Sequence, residues 1–248
     1  MAVVAGKPSP EAASVGEVMA GVIAHSVKDG EVALIGANSA LPLLGLRLAQ
    51  LTHAPGLTVI AGGSGAINPA TKTIPASSCD ASLLDAEAVL PLSEVVDFEG
   101  KTEIDVFFAG GLQIDARGAC NLVGVGPHPG MKLRGPGSVG LCFLHRAGRV
   151  VLYTMSHSRR TFVPKVDHVS GRGNVALVVT PLATMDIQGG RMRLASVHPG
   201  VSPHEVAENT GFDFLWEDVA ETPIPSREEL EIMRELDPAG VARLAARR

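Results

Sequence analysis

A serine framed by glycines at the end of a short apolar run carries the plainest chemistry in this 248-residue chain. Leu57-Thr-Val-Ile-Ala61 breaks into Gly62-Gly-Ser-Gly-Ala66. That pattern approaches the nucleophile elbow, a serine on a sharp strand-to-helix turn, with Ala66 in place of the usual last glycine. Ser64 would then attack an acyl carbon with help from a histidine and an acid. Against this, Asn68-Pro69 follows too soon for a helix, and eight histidines give no basis for choosing the base. The segment also lacks a carboxylate, since no Asp or Glu occurs from Ala61 to Asn68. Two other glycine turns are candidates: Gly36-Ala-Asn38, which ends an apolar run, and Gly135-Pro-Gly-Ser138. Glycine there serves a tight turn, and Asn38 either accommodates left-handed backbone or offers its amide as a hydrogen-bond donor.

These turns need strands to hold them. Val32-Ala-Leu-Ile35 and Leu57 to Ala61 read as buried strands that break into loops, and such loops at strand C-termini commonly hold sites. Ser39 is placed to cap a helix running to about His53, and Ser9-Pro10-Glu11 to open an earlier helix closed by Gly30. Asp80 to Leu90 reads as a helix. Ile104–Ala109, Arg149–Met155, Val175–Thr180 and Met192–Val197 read as strands. Ser202-Pro-His-Glu205 and Ser226-Arg-Glu-Glu229 match the capping box and predict a helical tail. The order predicts an α/β domain with a mixed sheet, parallel in its first half. With 46% hydrophobic residues and no linker, one domain over 1–248 is expected.

Composition narrows the function class. A net charge of −5 with 4% aromatics supplies neither the basic patch nor the stacking surface of a nucleic-acid binder. No long apolar run or basic-flanked leader is present, which predicts a soluble cytoplasmic protein with no membrane partner. Cys79, Cys120 and Cys142 are an odd number at wide spacings, which argues against a disulfide framework and a zinc site, and no metal is expected. Gly124-Val-Gly126 opens no helix and no phosphate-loop lysine exists, so no bound nucleotide cofactor is expected either. Asp115 and Asn121 read as turn formers, and His53 and His198 as loop-stabilising residues. His157, Arg159 and Arg160 read as a solvated strand end, with an anion site or subunit interface as the functional alternative.

Several motifs share one order with a known group. The strand, Gly-x-Asn turn, Leu-rich helix, His53-Ala-Pro55 and second strand are followed by Phe107-Phe-Ala-Gly-Gly-Leu-Gln-Ile-Asp115 with Gly118 and Asn121. Then come Gly135-Pro-Gly-Ser138, Ser158-Arg-Arg-Thr-Phe-Val-Pro-Lys-Val-Asp167, Val197-His-Pro-Gly-Val-Ser202, Asn209-Thr-Gly-Phe212 and Pro225-Ser-Arg-Glu-Glu-Leu230. Over about residues 15–240 the chain resembles the beta-type subunit of family I CoA-transferases, the glutaconate CoA-transferase group. The resemblance implies a CoA-transferase-like fold of the NagB/RpiA type, a central mixed and partly parallel sheet flanked by helices. It also implies a separate alpha-type chain, an active site between the two chains in a hetero-oligomer, and a CoA thioester as substrate rather than as a bound cofactor.

In that group a glutamate at the end of the second strand attacks the thioester, and its Glu-Ser-Gly element maps onto Gly63-Ser64-Gly65. Gly63 has no side chain, so the resemblance places this chain with members that keep the scaffold and drop transfer, a steroid-ring hydrolase and a glutaconyl-CoA decarboxylase. Such chemistry needs donors aimed at the thioester oxygen. The candidates are Gly36 and Asn38 in one turn and Gly135, Gly137 and Ser138 in the other, Pro136 having no N–H. Gly63 and Ser64 mark the expected catalytic position. Two rivals remain: a CoA-transferase whose glutamate comes from elsewhere, and a non-catalytic subunit that completes its partner's CoA pocket.

Overall fold

The computed structural model describes residues 12–101, 104–138 and 140–243. The expected helix opening at Ser9-Pro10-Glu11 therefore lies outside the described residues. The first helix, α1 (Val15–His25), starts instead at Ser14, whose hydroxyl accepts from Glu17 N–H while the Glu17 carboxylate accepts from Ser14 N–H. Glu17 is buried and paired with Arg234, so this capping box also ties the N-terminal helix to the last one.

Among the described residues ten strands form the main sheet. In chain order they are β1 (Val32–Ile35), β2 (Thr58–Ala61), β3 (Ala66–Pro69), β4 (Ala86–Val89), β5 (Val106–Gly110), β6 (Arg149–Tyr153), β7 (Val175–Val179), β8 (Ala183–Gln188), β9 (Arg191–Val197) and β10 (Ala220–Glu221). Their order across the sheet is β10-β9-β8-β7-β6-β5-β1-β2-β3-β4. The centre, from β2 through β1, β5 and β6 to β7, is parallel. Both wings turn antiparallel: β2-β3-β4 on one side and β7-β8-β9 on the other. The mixed sheet is as the sequence predicts, but its parallel part is the centre rather than the first half.

Alternation along the central strands divides two cores. Ala33, Ile35, Val59, Phe108 and Val151 point to α1, α2 (Ala40–Leu51) and α5 (Arg227–Leu236). Leu34, Ile60, Phe107, Val150 and Leu152 point to the opposite side, against Ile114, Phe143 and Phe162. Both faces being covered is why these strands read as continuous apolar runs.

The expected helix from Asp80 to Leu90 is corrected. Asp80 does cap a helical turn, but it is a short 3₁₀ turn over Ala81–Leu84; the chain then enters β4, and the first residues of α3 (Leu92–Lys101) come later. Ala86-Glu-Ala-Val89 has few β-formers, and pairing with β3 overrides that propensity. Strand β8 is not among the expected strands, although its Ala-Thr-Met-Asp-Ile-Gln sequence alternates apolar and polar residues. Ser202 caps α4 (Pro203–Asn209) and Ser226 caps α5 as predicted, with the reciprocal glutamate contact present at α5.

Candidate active site

The candidate site lies beyond the C-terminal ends of the parallel strands, where open α/β sheets generally bind ligands. After β1 the chain turns through Gly36-Ala37-Asn38 into α2. After β2 it turns through Gly62-Gly63-Ser64-Gly65 and returns as β3, so this is a hairpin and not a strand-to-helix elbow. Gly62 N–H donates to Ile35 O at 2.9 Å and joins the two turns.

Ser64 belongs to that hairpin. Its hydroxyl accepts from Ala66 N–H at 3.3 Å and lies 3.4 Å from Ala61 O. Both contacts are local backbone and neither is a histidine, so the nucleophile-elbow expectation is corrected: Asn68-Pro69 extends the strand pair instead of breaking a helix.

Gly63 is packed, not open. A Cβ built there would come 2.5 Å from Cys79 Sγ and 2.9 Å from Ser78 Oγ. These two residues belong to a segment that reads in sequence only as the approach to a helix. Ser78 is fully buried; its hydroxyl donates to Gly36 O at 2.6 Å and its N–H to Ala37 O at 2.9 Å. Ser77 Oγ also donates to Ala37 O, at 2.9 Å, and receives the Cys79 N–H at 3.1 Å. The Ser77-Ser78-Cys79 loop is thus fastened to the first turn and lays a free, exposed thiol over the second. Cys120 contrasts with it: burial pushes that thiol up to about 12 and leaves it inert.

The sole tyrosine, Tyr153 at the end of β6, completes the frame. Its hydroxyl donates to Asn38 O at 2.7 Å, so Ser39 Oγ, 3.0 Å away, must be the donor to the Tyr153 oxygen. Burial pushes the phenol up to about 12, which keeps this proton in place. Ser39 is therefore the N-cap residue of α2 without making a side-chain cap, a correction to its expected role. The first turn of α2 keeps its amide end uncapped beside Asn38. Asn38 itself is exposed, and among the described residues its side chain has no hydrogen-bond partner. We predict that Tyr153→Phe loses about 1 kcal/mol of stability, seen as a lower urea midpoint with an unchanged slope.

The Gly135–Ser138 turn is built differently. Gly135 N–H donates to Val123 O at 2.9 Å and Gly137 N–H to Leu122 O at 3.0 Å. Neither amide is free to receive an oxyanion, and the expected donor role of Gly135 and Gly137 is corrected on that ground. Ser138 is exposed, with its carbonyl taken by Leu141 N–H. This turn packs on Leu112 and Leu122 and bonds to Leu122 and Val123.

His157 is not a solvated strand end. It is buried, stacked on Phe162, and bonded to Thr180 Oγ1 at 2.9 Å and Thr210 Oγ1 at 3.0 Å. Asp115 accepts from Arg117 and Ala119 N–H, and Asn121 from Val123 and Gly124 N–H, as turn formers do. Among the described residues no group of three or more His, Cys, Asp or Glu side chains could hold a metal, and no helix is long and apolar enough to cross a membrane.

A match to the Coenzyme A transferase family extends over residues 17–209, most of the chain. This chain belongs to the CoA-transferase family. Within it, the chain is similar to the B-type subunit of 3-oxoadipate CoA-transferase from Pseudomonas knackmussii, 33% identical with 90% of this chain and 93% of that one covered. It is similar to the IpdB subunit of a cholesterol ring-cleaving hydrolase from Rhodococcus jostii, at 32% identity over 80% of this chain and 82% of the relative. The crystal structure of the decarboxylase AibA/AibB matches with a TM-score of 0.88 and 28% identity, covering 95% of this chain and 99% of that one. The sheet, with its parallel centre and flanking helices, is the fold of these CoA-transferase-family enzymes. The family thus supports transferase, hydrolase and decarboxylase chemistry on one scaffold, and fold alone does not choose among them.

Proposed function

We propose that this chain is the B-type subunit of a two-subunit enzyme acting on an acyl-CoA thioester by hydrolysis, carbon–carbon cleavage or decarboxylation, and that residues 1–248 act as one domain. The observation that carries the reading is the filled space at Gly63. Transfer by this family's route needs a carboxylate nucleophile at the end of β2. Here the backbone at that point is glycine, no acid occurs from Ala61 to Asn68, and Cys79 and Ser78 occupy the volume a side chain would take.

Asn38 and the uncapped amide end of α2 are the donors we assign to the thioester oxygen. The role of base, or of the group that activates water, falls to the A-type partner, because Ser64 is held within its own hairpin. Asn38→Ala is expected to lower kcat about 10²-fold with the melting temperature unchanged, since the amide has no structural partner to lose. Ser64→Ala is expected to leave turnover nearly intact. Full activity in Asn38→Ala would favour a non-catalytic role for this subunit.

A second reading, genuine CoA transfer with the carboxylate supplied elsewhere, draws support from the likeness to the 3-oxoadipate CoA-transferase. Intact-mass measurement after incubation with acyl-CoA separates the two. We expect no CoA adduct on this chain; a stable gain of CoA would favour transfer.

A further inference from the structure

We propose that the β4 edge and the adjoining end of α2 form a two-fold interface with a second copy of this chain. Strand β4 is the last strand of the main sheet, with β3 as its only neighbour among the described residues. Every second residue of such a strand leaves its N–H and C=O pointing outward, ready for another antiparallel strand. Three of its four residues are exposed, and the surrounding surface is apolar: Leu51, Leu84, Val89, Leu92 and Val96 are each 44–66% exposed. These are five of the nine large apolar side chains that stand exposed among the described residues, and they fall on β4, on the segments that precede and follow it, and at the end of α2.

The charges identify the occupant. Between α2, β3 and β4 lies a cavity of about 490 Å³ lined by Arg47, Gln50, Leu51, Asn68, Asp85 and Glu87, among others. Arg47 is half-buried, and its Nε is closed to water and donates to nothing. Its guanidinium hydrogen bond goes to the neutral Gln50, at 2.7 Å. Asp85 and Glu87 sit in the same cavity, and among the described residues no ion pair joins either of them to a cation; Glu87 receives the Asn68 amide, at 3.0 Å. A lone guanidinium and lone carboxylates side by side on one unpaired edge are self-complementary. In a two-fold contact Arg47 of each copy meets Asp85 and Glu87 of the other, and the β4 strands pair.

The test is a charge exchange read by light scattering on the full chain, with circular dichroism confirming that each variant is folded. The parent protein is expected to have the mass of a dimer at tens of micromolar, falling to that of a monomer in Arg47→Glu and in the double variant Asp85→Arg/Glu87→Arg. Mixed one to one, the two variants should return to dimer, because each then presents the charge the other lacks. Val89→Glu, which blocks the edge without touching the charge pairs, should give monomers that mixing with either variant does not rescue. A monomeric parent, a dimer indifferent to all three changes, or charge variants that stay monomeric when mixed would each overturn the proposal. The last outcome, if Arg47→Glu also fails to co-purify with an A-type subunit expressed beside it, would give this face to that partner instead. Because the readout is mass, the result is independent of the reaction proposed above.

Discussion

Gly63→Glu is expected to destabilise the protein by about 2 kcal/mol and to yield no CoA transfer. The built Cβ already overlaps Cys79 Sγ and Ser78 Oγ, and Ser78 cannot retreat without giving up its bonds to Gly36 O and Ala37 O. A glutamate must therefore either displace the Ser77–Cys79 loop or push the hairpin away from β1. Combining Gly63→Glu with Cys79→Gly removes the thiol clash and should recover part of the loss, which makes the effects of the two sites non-additive. Urea denaturation of the parent, both single variants and the double variant measures the coupling. A Gly63→Glu protein as stable as the parent, carrying CoA after exposure to an acyl-CoA, would show that the space is available and the nucleophile merely absent.

Acid is expected to unfold the protein well above the pH at which its carboxylates alone would cause it. His157 is neutral in the fold: burial is the main cause and nearby His198 the second, and together they push its pKa down to about 3 from a usual value of 6.5. The folded state binds this proton later than the unfolded state does. The stability it contributes is therefore complete above about pH 6.5 and is lost as pH falls towards 3, by up to about 1.4 kcal/mol per pH unit from this one group. Thr210 Oγ1 donates to Val206 O at 2.8 Å and so accepts from His157 Nε2–H, while Thr180 Oγ1 lies 2.9 Å from Nδ1 and 3.0 Å from Ala183 O, with a single proton to give to one of the two. His157→Gln removes the titration and should flatten the stability profile between about pH 6.5 and 4, at the cost of lower stability at about pH 8. Melting temperatures across pH for the two proteins decide it. An equal acid slope in both would assign the loss to other groups.

Much of this architecture is legible in the sequence because it follows local rules. The capping box at Ser226 and the apolar runs of β1, β2, β5, β6 and β7 announce their elements through residue type and period. Where the sequence misleads, distant contacts decide. Ala86–Val89 becomes a strand only because β3 lies beside it. Ser39 caps nothing because Tyr153, 114 residues away, takes its hydroxyl. The Gly36, Asn38, Gly63 and Ser64 turns are marked by their glycines and do come together. The residues that fill the space between them, Ser78 and Cys79, carry only the weak signal of a polar Pro-Ala-Ser-Ser-Cys-Asp loop. Gly135 and Gly137 look like Gly36 in sequence, yet their amides are spent on Val123 and Leu122, which no local pattern reveals.

Chemistry on an acyl-CoA without transfer of CoA is decided by following every product at once. The chain, prepared together with its A-type subunit, is incubated with dicarboxylic and β-keto acyl-CoAs, a free acceptor acid and heavy-oxygen water, and the mixture is read by mass spectrometry. A substrate is expected to gain heavy oxygen or lose carbon dioxide while the acceptor acid stays free. Appearance of the acceptor's CoA thioester would contradict this and make this chain part of a working transferase.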